Sequence, residues 1–259
     1  MAHNLYRPFP NTFRRDMLAR KRLVGCWSSL ASPAVAEVLG MVGFDWLLLD
    51  GEHTDAEIAT FAAQLLSLRC SVSSPVVRPP ADDPVVIKRV LDAGLHNLLL
   101  PFVQDADQAR AAVAATRYPP HGMRGMSGSH RGNGFGTLAD YYGQVNDNIC
   151  VTVQIETPEA ALAAAEIAAV DGVDGLFIGP SDLSASMGHI CNPNHPEVQR
   201  VIAAVFAQAE RAGKAAGILA PVEEDARRYF EMGATFVAVG IDQAILRQGA
   251  QRLHDLFMA

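Results

Sequence analysis

The residues whose types and spacing suggest chemistry begin with Asp50-Gly51-Glu52-His53, which follows the apolar run Trp46–Leu49. A short apolar run is typical of a strand that is buried on both faces. If the chain turns at Gly51, the Asp50 carboxylate can orient the His53 imidazole and stabilise its protonated form. This arrangement predicts His53 as a general base. The alternative is a capping cluster that leads into the next helix.

Polar side chains also follow three later apolar segments, and each has an ordinary structural explanation. Arg78 could be a surface cation, Glu156 an acid at a helix N-terminus, and Asp182 a helix N-cap. All of them, however, come directly after an apolar segment, as His53 does. If these segments are parallel strands, their carboxyl ends meet on one face. Capping alone does not explain such a convergence, and we expect a site there.

Glu156 and Asp182 are the predicted metal ligands. Two carboxylates with the amide oxygen of Gln154 nearby suit Mg²⁺ or Mn²⁺, which prefer oxygen ligands and keep several waters. A zinc site is disfavoured because no second histidine lies at a ligand-like position among the apolar segments. A bound ion can take the carboxylate and carbonyl oxygens of a 2-oxo acid and stabilise an enolate.

Other groups can bind the same acid. Arg78 offers charge-assisted hydrogen bonds, and the backbone N–H groups of Ser181 and Asp182 offer a place for a carboxylate. The alternative to a metal is a Schiff-base lysine. The chain has three lysines, Lys21, Lys88 and Lys214. None of them follows the carboxyl end of an apolar segment, so metal-based chemistry is favoured.

Apolar segments alternate with segments of helical periodicity, and these elements must position the polar residues. The predicted strands are Leu23–Ser28, Trp46–Leu49, Ser74–Arg78, Asn97–Phe102, Ile149–Ile155, Gly175–Gly179, Ala215–Leu219 and Phe236–Gly240. A first short helix is predicted at Asn11–Lys21, and the others at Pro33–Met41, Glu57–Leu68, Pro84–Asp92, Ala106–Arg117, Pro158–Ala169, Pro196–Ala212, Val222–Met232 and Ile241–Phe257. Strand followed by helix, eight times over, predicts an α/β protein with the (β/α)8 or TIM barrel fold. A doubly wound open sheet is the alternative, but no GxGxxG motif follows the first strand.

One connection, residues 118–137, breaks this rhythm. It contains six glycines, two arginines and two histidines. A loop of this length inside a compact domain is usually functional or disordered. We expect an active-site lid that meets an anionic substrate, with Arg124, His130 and Arg131 as its contacts.

Length and composition bound the class of protein. The 259 residues, 49% hydrophobic and 19% charged, suit one domain over residues 1–259 that begins with a short arm, residues 1–10. A net charge of −7 without basic runs argues against nucleic acid as a partner. No apolar signal core and no run of 18 apolar residues occur, which predicts a soluble cytoplasmic protein without a membrane partner. The four cysteines have no CxxC spacing and are expected to be reduced core thiols.

Several segments resemble the HpcH/HpaI family of class II, metal-dependent pyruvate aldolases. They are FDWLLLDGEH, PVVRPP, IKRVLDAG, TRYPPHGMRG, VQIET, GVDGLFIGPSDLSASMG and GATFVAVGID, and the resemblance runs from about Asn11 to the C-terminus. It implies a barrel of the phosphoenolpyruvate/pyruvate-domain type. It also implies that His53 is the base, that Asp50 assists it, and that Arg78 holds the pyruvyl oxygens and the transition-state charge.

The same resemblance implies a metal, further contacts and an assembly. Glu156 and Asp182 would bind Mg²⁺, with Mn²⁺ or Co²⁺ as alternatives and no organic cofactor. Gln154 and the backbone of Ser181 and Asp182 would contact the substrate. Asp92 would reach the site of a neighbouring subunit. The subunits would form a homo-hexamer, a trimer of dimers, in which the C-terminal helix packs on a partner barrel.

The expected reaction also comes from the resemblance. The segments GCWSSLASP, SHRGNGFGTLADYY and GILAPVEEDARRY are similar to family members that act on glucarate-derived acids. Such enzymes cleave 2-dehydro-3-deoxy-D-glucarate or 5-dehydro-4-deoxy-D-glucarate to pyruvate and tartronate semialdehyde through a metal-stabilised enolate. The second carboxylate of these small-molecule substrates needs a cation, which Arg124, Arg131 or His130 could supply. The alternatives are 4-hydroxy-2-oxoheptanedioate or 2-keto-3-deoxy-L-rhamnonate cleavage, or a non-catalytic carboxylate-binding barrel.

Overall fold

Parallel strands form a closed barrel in the computed structural model, which describes residues 8–258. Each strand pairs with its neighbours in chain order, and the eighth strand closes on the first. The predicted (β/α)8 barrel is therefore confirmed, and the open sheet is excluded. The strands are β1 (Leu23–Ser28), β2 (Trp46–Asp50), β3 (Ser74–Arg78), β4 (Asn97–Leu100), β5 (Cys150–Ile155), β6 (Gly175–Ile178), β7 (Ala215–Leu219) and β8 (Phe236–Ile241).

Helices surround the barrel. They are α1 (Thr12–Leu18), α2 (Pro33–Val42), α3 (Ile58–Ser67), α4 (Pro84–Asp92), α5 (Ala106–Thr116), α6 (Tyr141–Gln144), α7 (Pro158–Leu162), α8 (Ala164–Ala168), α9 (Pro180–Ser186), α10 (Pro196–Arg211), α11 (Glu223–Glu231) and α12 (Asp242–Met258). Short 3-10 turns occur at Leu68–Cys70, Arg131–Asn133 and Val145–Asn148. Across residues 8–258, no helix combines the length and the apolar character that a membrane span requires.

Several helices start within a few residues of a strand because the sequence supplies a cap and a proline there. The side chains of Ser32, Asp83 and Thr157 each accept a hydrogen bond from a backbone N–H in the first turn of α2, α4 and α7. Each of these helices begins with proline, which lacks the N–H that a first helical residue would leave unpaired. These caps keep the connections at the carboxyl ends of β1, β3 and β5 short.

The apolar side chains form two layers, one on each side of the strands. Alternate strand residues point inward and fill the barrel, as in β2, where Trp46 and Leu48 belong to the inner cluster and Leu47 and Leu49 to the outer one. A Cβ at Gly25 would lie 2.2 Å from the Trp46 indole, so β1 needs glycine where this ring crosses the interior. The barrel is therefore a packed core, and its mouth is the place left for chemistry.

Element boundaries differ from the predictions where the backbone turns. β4 ends at Leu100 rather than Phe102, because Phe102 has a φ of 57° and cannot continue a strand. The helix predicted over residues 158–169 is two short helices that join at Ala163. The first helix ends at Leu18, before Arg20 with a φ of 52°. The loop predicted over residues 118–137 is followed by α6 and a 3-10 turn, which periodicity did not indicate.

The N-terminal arm and the cysteines complete the description. Residues 1–7 of the predicted arm lie outside the described residues, but Phe9 packs its ring 5.2 Å from His96 and 5.7 Å from Tyr141. All four cysteines are free. Two of them are buried as expected, whereas Cys70 and Cys191 are exposed, so a core position holds for only half of them.

Candidate active site

One cavity of about 290 Å³ opens at the carboxyl ends of the strands and brings together residues that are far apart in the chain. Seven residues singled out in the sequence line it: Asp50, His53, Arg78, Gln154, Glu156, Ser181 and Asp182. They follow β2, β3, β5 and β6, or end them, as the barrel topology requires. Apolar side chains of the inner cluster, such as Trp27 and Phe177, form its wall.

Arg78 and Asp50 form the centre of this mouth. The Nε and Nη2 atoms of Arg78 donate to the two carboxylate oxygens of Asp50 at 2.8 Å and 2.7 Å, and both residues are buried. The guanidinium also lies over the Trp27 ring, with its Cζ 4.9 Å from the centroid. Burial alone would raise the pKa of Asp50, but the hydrogen bonds and the charge of Arg78 outweigh it and lower the pKa. Asp50 therefore stays ionised and holds Arg78 in place.

The expected contact between Asp50 and His53 is not present among residues 8–258, which corrects the predicted pairing. Besides Arg78, the Asp50 oxygens accept hydrogen bonds from Trp27 Nε1 at 3.1 Å and from the Glu52 backbone N–H at 3.0 Å. A guanidinium fork is a better partner for a buried carboxylate than a single imidazole N–H. His53 is exposed, and its Nε2 lies 3.8 Å from Glu52 Oε2.

Glu156 is a buried carboxylate of the mouth with a strongly raised pKa. It is 2% exposed, and its two oxygens accept hydrogen bonds from Gln154 Nε2 at 2.9 Å and from the Phe102 backbone N–H at 3.1 Å. Burial raises the pKa of Glu156 to about 7, with the charges of Glu52 and Asp182 adding to the effect. A Cβ at Gly179 would lie 2.3 Å from Glu156 Oε1, so only glycine leaves room for this side chain.

Glu52 is a fourth carboxylate near the mouth, besides Asp50, Glu156 and Asp182, and no role was predicted for it. Its Oε2 lies 2.7 Å from Arg78 Nη1. Burial raises the pKa of Glu52, Arg78 opposes this, and the charges of Asp50 and Asp182 add to it. The sequence signal for Glu52 was its position in Asp-Gly-Glu-His, directly after the glycine at which the chain leaves β2 and reaches the rim of the barrel.

Acidic groups and an unpaired amide make the mouth suitable for a divalent cation. The charges of Glu52 and Asp182 reach Glu156, so the three carboxylates share one region. Within the described chain, Gln154 Oε1 is buried and has no hydrogen-bond partner, and Gln154 is one of the residues that line the cavity. A cation would relieve the repulsion and give this oxygen a partner.

The loop over residues 118–137 lies at the other end of the barrel, which corrects the expectation of a lid over the mouth of the same chain. It connects α5 to β5, and connections from helix to strand run to the amino ends of the strands. Arg124 Nη2 lies 2.6 Å from Asp92 Oδ1, and His130 Nε2 lies 3.8 Å from the same oxygen. Arg131 Nη1 donates to the carbonyl oxygen of Ala93 at 3.2 Å. Asp92, Arg124, His130 and Arg131 thus form one cluster, away from the other seven residues.

A separate group of possible metal donors consists of His189, His195 and Glu197. The two imidazole rings stack with centroids 3.5 Å apart and an angle of 16° between their planes. Nitrogen lone pairs lie in the ring planes, so two nearly parallel rings do not aim at one ion in this conformation. His195 Nδ1 also accepts a hydrogen bond from the Glu197 backbone N–H and caps α10. We assign this group to helix capping.

Comparisons with known proteins agree with this geometry. The chain is 56% identical over 249 residues to a protein named 5-keto-4-deoxy-D-glucarate aldolase from Enterobacter sp. (strain 638), covering 96% of this chain and 97% of the relative. A protein of the same name from Citrobacter koseri is 55% identical over the same share of both chains. The crystal structure of an HpcH/HpaI aldolase/citrate lyase family protein from Burkholderia cenocepacia J2315 matches with a TM-score of 0.94 at 37% identity, over 96% of this chain and 100% of that one. The profile of that family matches residues 23–248, and the chain therefore belongs to the HpcH/HpaI aldolase/citrate lyase family.

Proposed function

We propose that this protein is an aldolase that cleaves 5-keto-4-deoxy-D-glucarate, and also 2-dehydro-3-deoxy-D-glucarate, to pyruvate and tartronate semialdehyde. The observation that carries the proposal is the convergence of an imidazole, a guanidinium and a group of carboxylates in one cavity at the mouth of the barrel. The relatives at 55–56% identity over nearly the whole chain support this choice of substrate.

Glu156 and Asp182 are the residues that would hold a divalent cation, and Mg²⁺ is our first choice, with Mn²⁺ or Co²⁺ as alternatives. The carboxylates and the unpaired Gln154 Oε1 match the oxygen ligands that these ions prefer. A bound cation supplies positive charge that stabilises an enolate. An organic cofactor has no part in this proposal.

The residues of the chain handle the substrate and its proton. A guanidinium has five N–H groups, and Asp50 accepts hydrogen bonds from two of those on Arg78. Glu52 Oε2 lies 2.7 Å from Nη1 but forms no hydrogen bond among the described residues, so the two N–H groups on Nη1 and one on Nη2 remain for the pyruvyl oxygens. Ser181 and Asp182 stand in the first turn of α9, where free backbone N–H groups can bind the substrate carboxylate. His53 accepts the proton of the C4 hydroxyl as the C3–C4 bond breaks. The electron pair of the O–H bond forms the aldehyde carbonyl, and the electron pair of the C3–C4 bond passes to the pyruvate enolate. The protonated His53 then returns its proton to C3, which gives pyruvate and restores the neutral base.

The direct test is pyruvate release from a panel of 4-hydroxy-2-oxo acids with added Mg²⁺, Mn²⁺ or Co²⁺. We expect the two glucarate-derived acids to be cleaved with the highest kcat/KM, and 4-hydroxy-2-oxoheptanedioate and 2-keto-3-deoxy-L-rhamnonate more slowly. Dialysis against EDTA should abolish turnover, and the added ion should restore it. Absence of pyruvate from every acid on the panel overturns the proposal, and so does full activity after chelation.

We also propose that the site is completed by a second subunit in a homo-hexamer. The two Arg124 nitrogens Nε and Nη1 are buried without a hydrogen-bond partner among residues 8–258, beside a cavity of about 750 Å³. Asp92, Arg124, His130 and Arg131 lie at the opposite end from the mouth of their own barrel, so they can serve only the mouth of another. In that arrangement, Arg124, His130 or Arg131 would supply the cation for the second carboxylate of the substrate. Asp92 would supply an acidic group that acts together with the partner's His53.

Complementation between inactive variants tests this arrangement. His53→Ala and Asp92→Ala each remove one half of a shared site, so each variant alone should be inactive. Hybrid oligomers, formed by unfolding and refolding an equal mixture, contain some sites with both residues intact and should regain up to about a quarter of the activity. That figure assumes that each shared site draws one residue from each of two randomly mixed subunits. A mixture as inactive as its components shows that Asp92 does not act across subunits.

The proposed location is the cytoplasm. All four cysteines are free, including two that are exposed. Exposed thiols without partners suit a reducing compartment, since secreted proteins usually pair them. Alkylation of Cys70 and Cys191 in intact cells, followed by mass spectrometry, tests whether these thiols stay reduced there.

A further inference from the structure

We propose that Glu52 is the residue of this chain that positions His53 for proton transfer. The carboxylate oxygen Oε2 of Glu52 lies 2.7 Å from Arg78 Nη1 and 3.8 Å from His53 Nε2, so one oxygen connects the guanidinium to the imidazole. This inference rests on the proposed aldolase function, in which His53 takes the proton of the C4 hydroxyl. It replaces the pairing of Asp50 with His53 that the sequence indicated.

The surroundings of His53 leave few groups that could orient it. Its side chain is 65% exposed, and Glu52 is its ion-pair partner among the described residues. An exposed imidazole without a partner samples several rotamers, and most of them turn the ring nitrogens away from a bound substrate. A nearby carboxylate favours the rotamers in which a ring nitrogen faces it. Glu52 therefore restricts His53 to the side of the cavity.

Glu52 can do this because it is itself fixed. Its side chain is 20% exposed, Arg78 holds its carboxylate, and Asp50 accepts a hydrogen bond from its backbone N–H at 3.0 Å. Asp50 in turn fixes Arg78 through two hydrogen bonds. The order of contacts is Asp50, Arg78, Glu52 and then His53, from the buried floor of the mouth to its exposed rim. In this series of contacts, the buried pair of Asp50 and Arg78 is the rigid part, and the exposed His53 is the part that meets the substrate.

The charges at the mouth also favour a role for Glu52 beyond holding Arg78. The charges of Asp50 and Asp182 repel the Glu52 carboxylate, which also acts on Glu156, whereas Arg78 and His53 attract it. Arg78 is already paired with Asp50, so His53 is the attracting group that has no other ion-pair partner among the described residues. The imidazolium that forms when His53 accepts a proton places a positive charge beside Glu52. Glu52 thus stabilises the protonated base during bond cleavage.

The test compares Glu52→Gln and Glu52→Asp with the unaltered enzyme over a range of pH. Glutamine keeps the shape of the side chain and loses the charge, so kcat should fall by about 10- to 100-fold, less than for loss of the base itself. Because an imidazole without its carboxylate gives up its proton more readily, the acid limb of the pH profile of kcat/KM should move to lower pH. Glu52→Asp keeps the charge and should recover part of the rate. The matched control is Asp55→Asn, an exposed carboxylate of the same loop, which should change neither quantity.

The outcomes separate this inference from the proposed function. If the unaltered enzyme cleaves none of the 4-hydroxy-2-oxo acids, the aldolase proposal fails first. If it cleaves them and Glu52→Gln keeps its kcat, the positioning role alone is wrong. A lower kcat with an unmoved acid limb also overturns it, because a purely structural defect lowers the rate equally at all pH values. Should Glu52→Gln not fold, Glu52→Asp decides, since its shorter side chain draws the charge away from His53 and should move the acid limb in the same direction.

Discussion

At the level of single residues, Arg78 organises the mouth because two carboxylates bind it at once. Its pairing with Asp50 is buried, and such a pair is costly to break because removal of one partner leaves a charge without compensation. Asp50 is therefore a support for Arg78 rather than the partner of His53. The spacing of three residues between Asp50 and His53 suggested that Asp50 orients His53. In the structure, Asp50 binds the buried Arg78 of β3 instead.

Loss of the imidazole tests the base directly. His53→Ala should lower kcat by about two to four orders of magnitude, the usual contribution of a positioned acid–base group. Binding of pyruvate should change little, because Arg78 and the carboxylates remain. Steady-state cleavage rates, with pyruvate inhibition as the measure of binding, check both parts. His254→Ala on the surface of α12 is the control, and near-normal turnover in His53→Ala would remove this residue from the mechanism.

Glu156 predicts a pH dependence of stability in the metal-free protein. Its pKa is about 7 in the folded chain against an ordinary value of 4.5, so the folded state binds this proton more tightly than the unfolded state. The contribution of Glu156 to the free energy of unfolding should therefore fall as pH rises from 4.5 to about 7, by up to about 3 kcal/mol. His96, whose pKa burial lowers from 6.5 to about 3, contributes with the opposite sign between these two values, so the Glu156 contribution has to be measured as a difference from a variant. The lowered pKa of Asp50 acts with the opposite sign, and only as pH falls through 3.8 and below.

Urea unfolding of the metal-free protein at several pH values measures this decline. Glu156→Gln cannot ionise at this position, so the difference in the free energy of unfolding between the variant and the unaltered protein isolates the Glu156 contribution. The variant should gain stability relative to the unaltered protein as pH rises from 4.5 to about 8. Glu223→Gln, an exposed glutamate in the first turn of α11, is the control and should leave the slope unchanged. Equal slopes in Glu156→Gln and the unaltered protein would mean that another group causes the dependence.

At the level of elements, the strands were predictable because each is a short apolar run next to a cap or a glycine. The cavity followed from them, since Asp50, Arg78, Glu156 and Asp182 come at the carboxyl ends of parallel strands. The end of the barrel at which residues 118–137 lie could also have been predicted from the sequence, because this segment follows a helix and precedes a strand. Composition suggested a lid, but connectivity decides the end of the barrel, and it places Arg124 beside Asp92.

Contacts such as the one between Glu52 and His53 were not predictable from periodicity. They depend on the φ and ψ values of a turn, and the pattern of apolar residues carries no information on them. The same holds for Phe102, whose left-handed backbone directs its N–H to Glu156 Oε2. Both features arise in connections after strands, where side chains from different elements compete for the same partner.

The junction of β6 and α9 allows a test at this scale. Gly179→Ala places a Cβ where Glu156 Oε1 now lies, because the two would be 2.3 Å apart. Glu156 must then shift, so we expect weaker Mg²⁺ binding, a loss of activity of at least tenfold and a lower melting temperature. Titration calorimetry with Mg²⁺ measures the first effect.

At the level of the whole molecule, the polar clusters lie at opposite ends of the barrel. The proposed pyruvyl site is at the mouth, and the opposite end gathers Asp92 with the basic residues Arg124 and His130. A single barrel cannot bring its own two ends together. An oligomer in which the amino-terminal end of one barrel meets the mouth of another would bring the two groups together.

The C-terminal helix α12 shows where such an assembly would form. Of its residues only Asp242 is buried, although it carries Ile245, Leu246, Leu253, Leu256 and Phe257 with exposed fractions of 50–81%. With 100° between successive residues, these side chains fall within an arc of about 120°, the width of an apolar stripe that packs on another surface. The barrel of the same chain does not cover this stripe, so a second copy of the chain is the occupant that we expect.

A charge on this stripe should therefore break the assembly. Leu253→Glu puts a carboxylate at the centre of the arc, where its burial would cost several kcal/mol, and the subunits should separate. Light scattering after gel filtration should show a smaller species, and the specific activity should fall in parallel and recover in part at high protein concentration. Arg247→Glu reverses a charge on the opposite side of the same helix and should remain assembled and active. A fully active Leu253→Glu monomer would show that each barrel works alone, and that the basic cluster at its base has no part in the reaction.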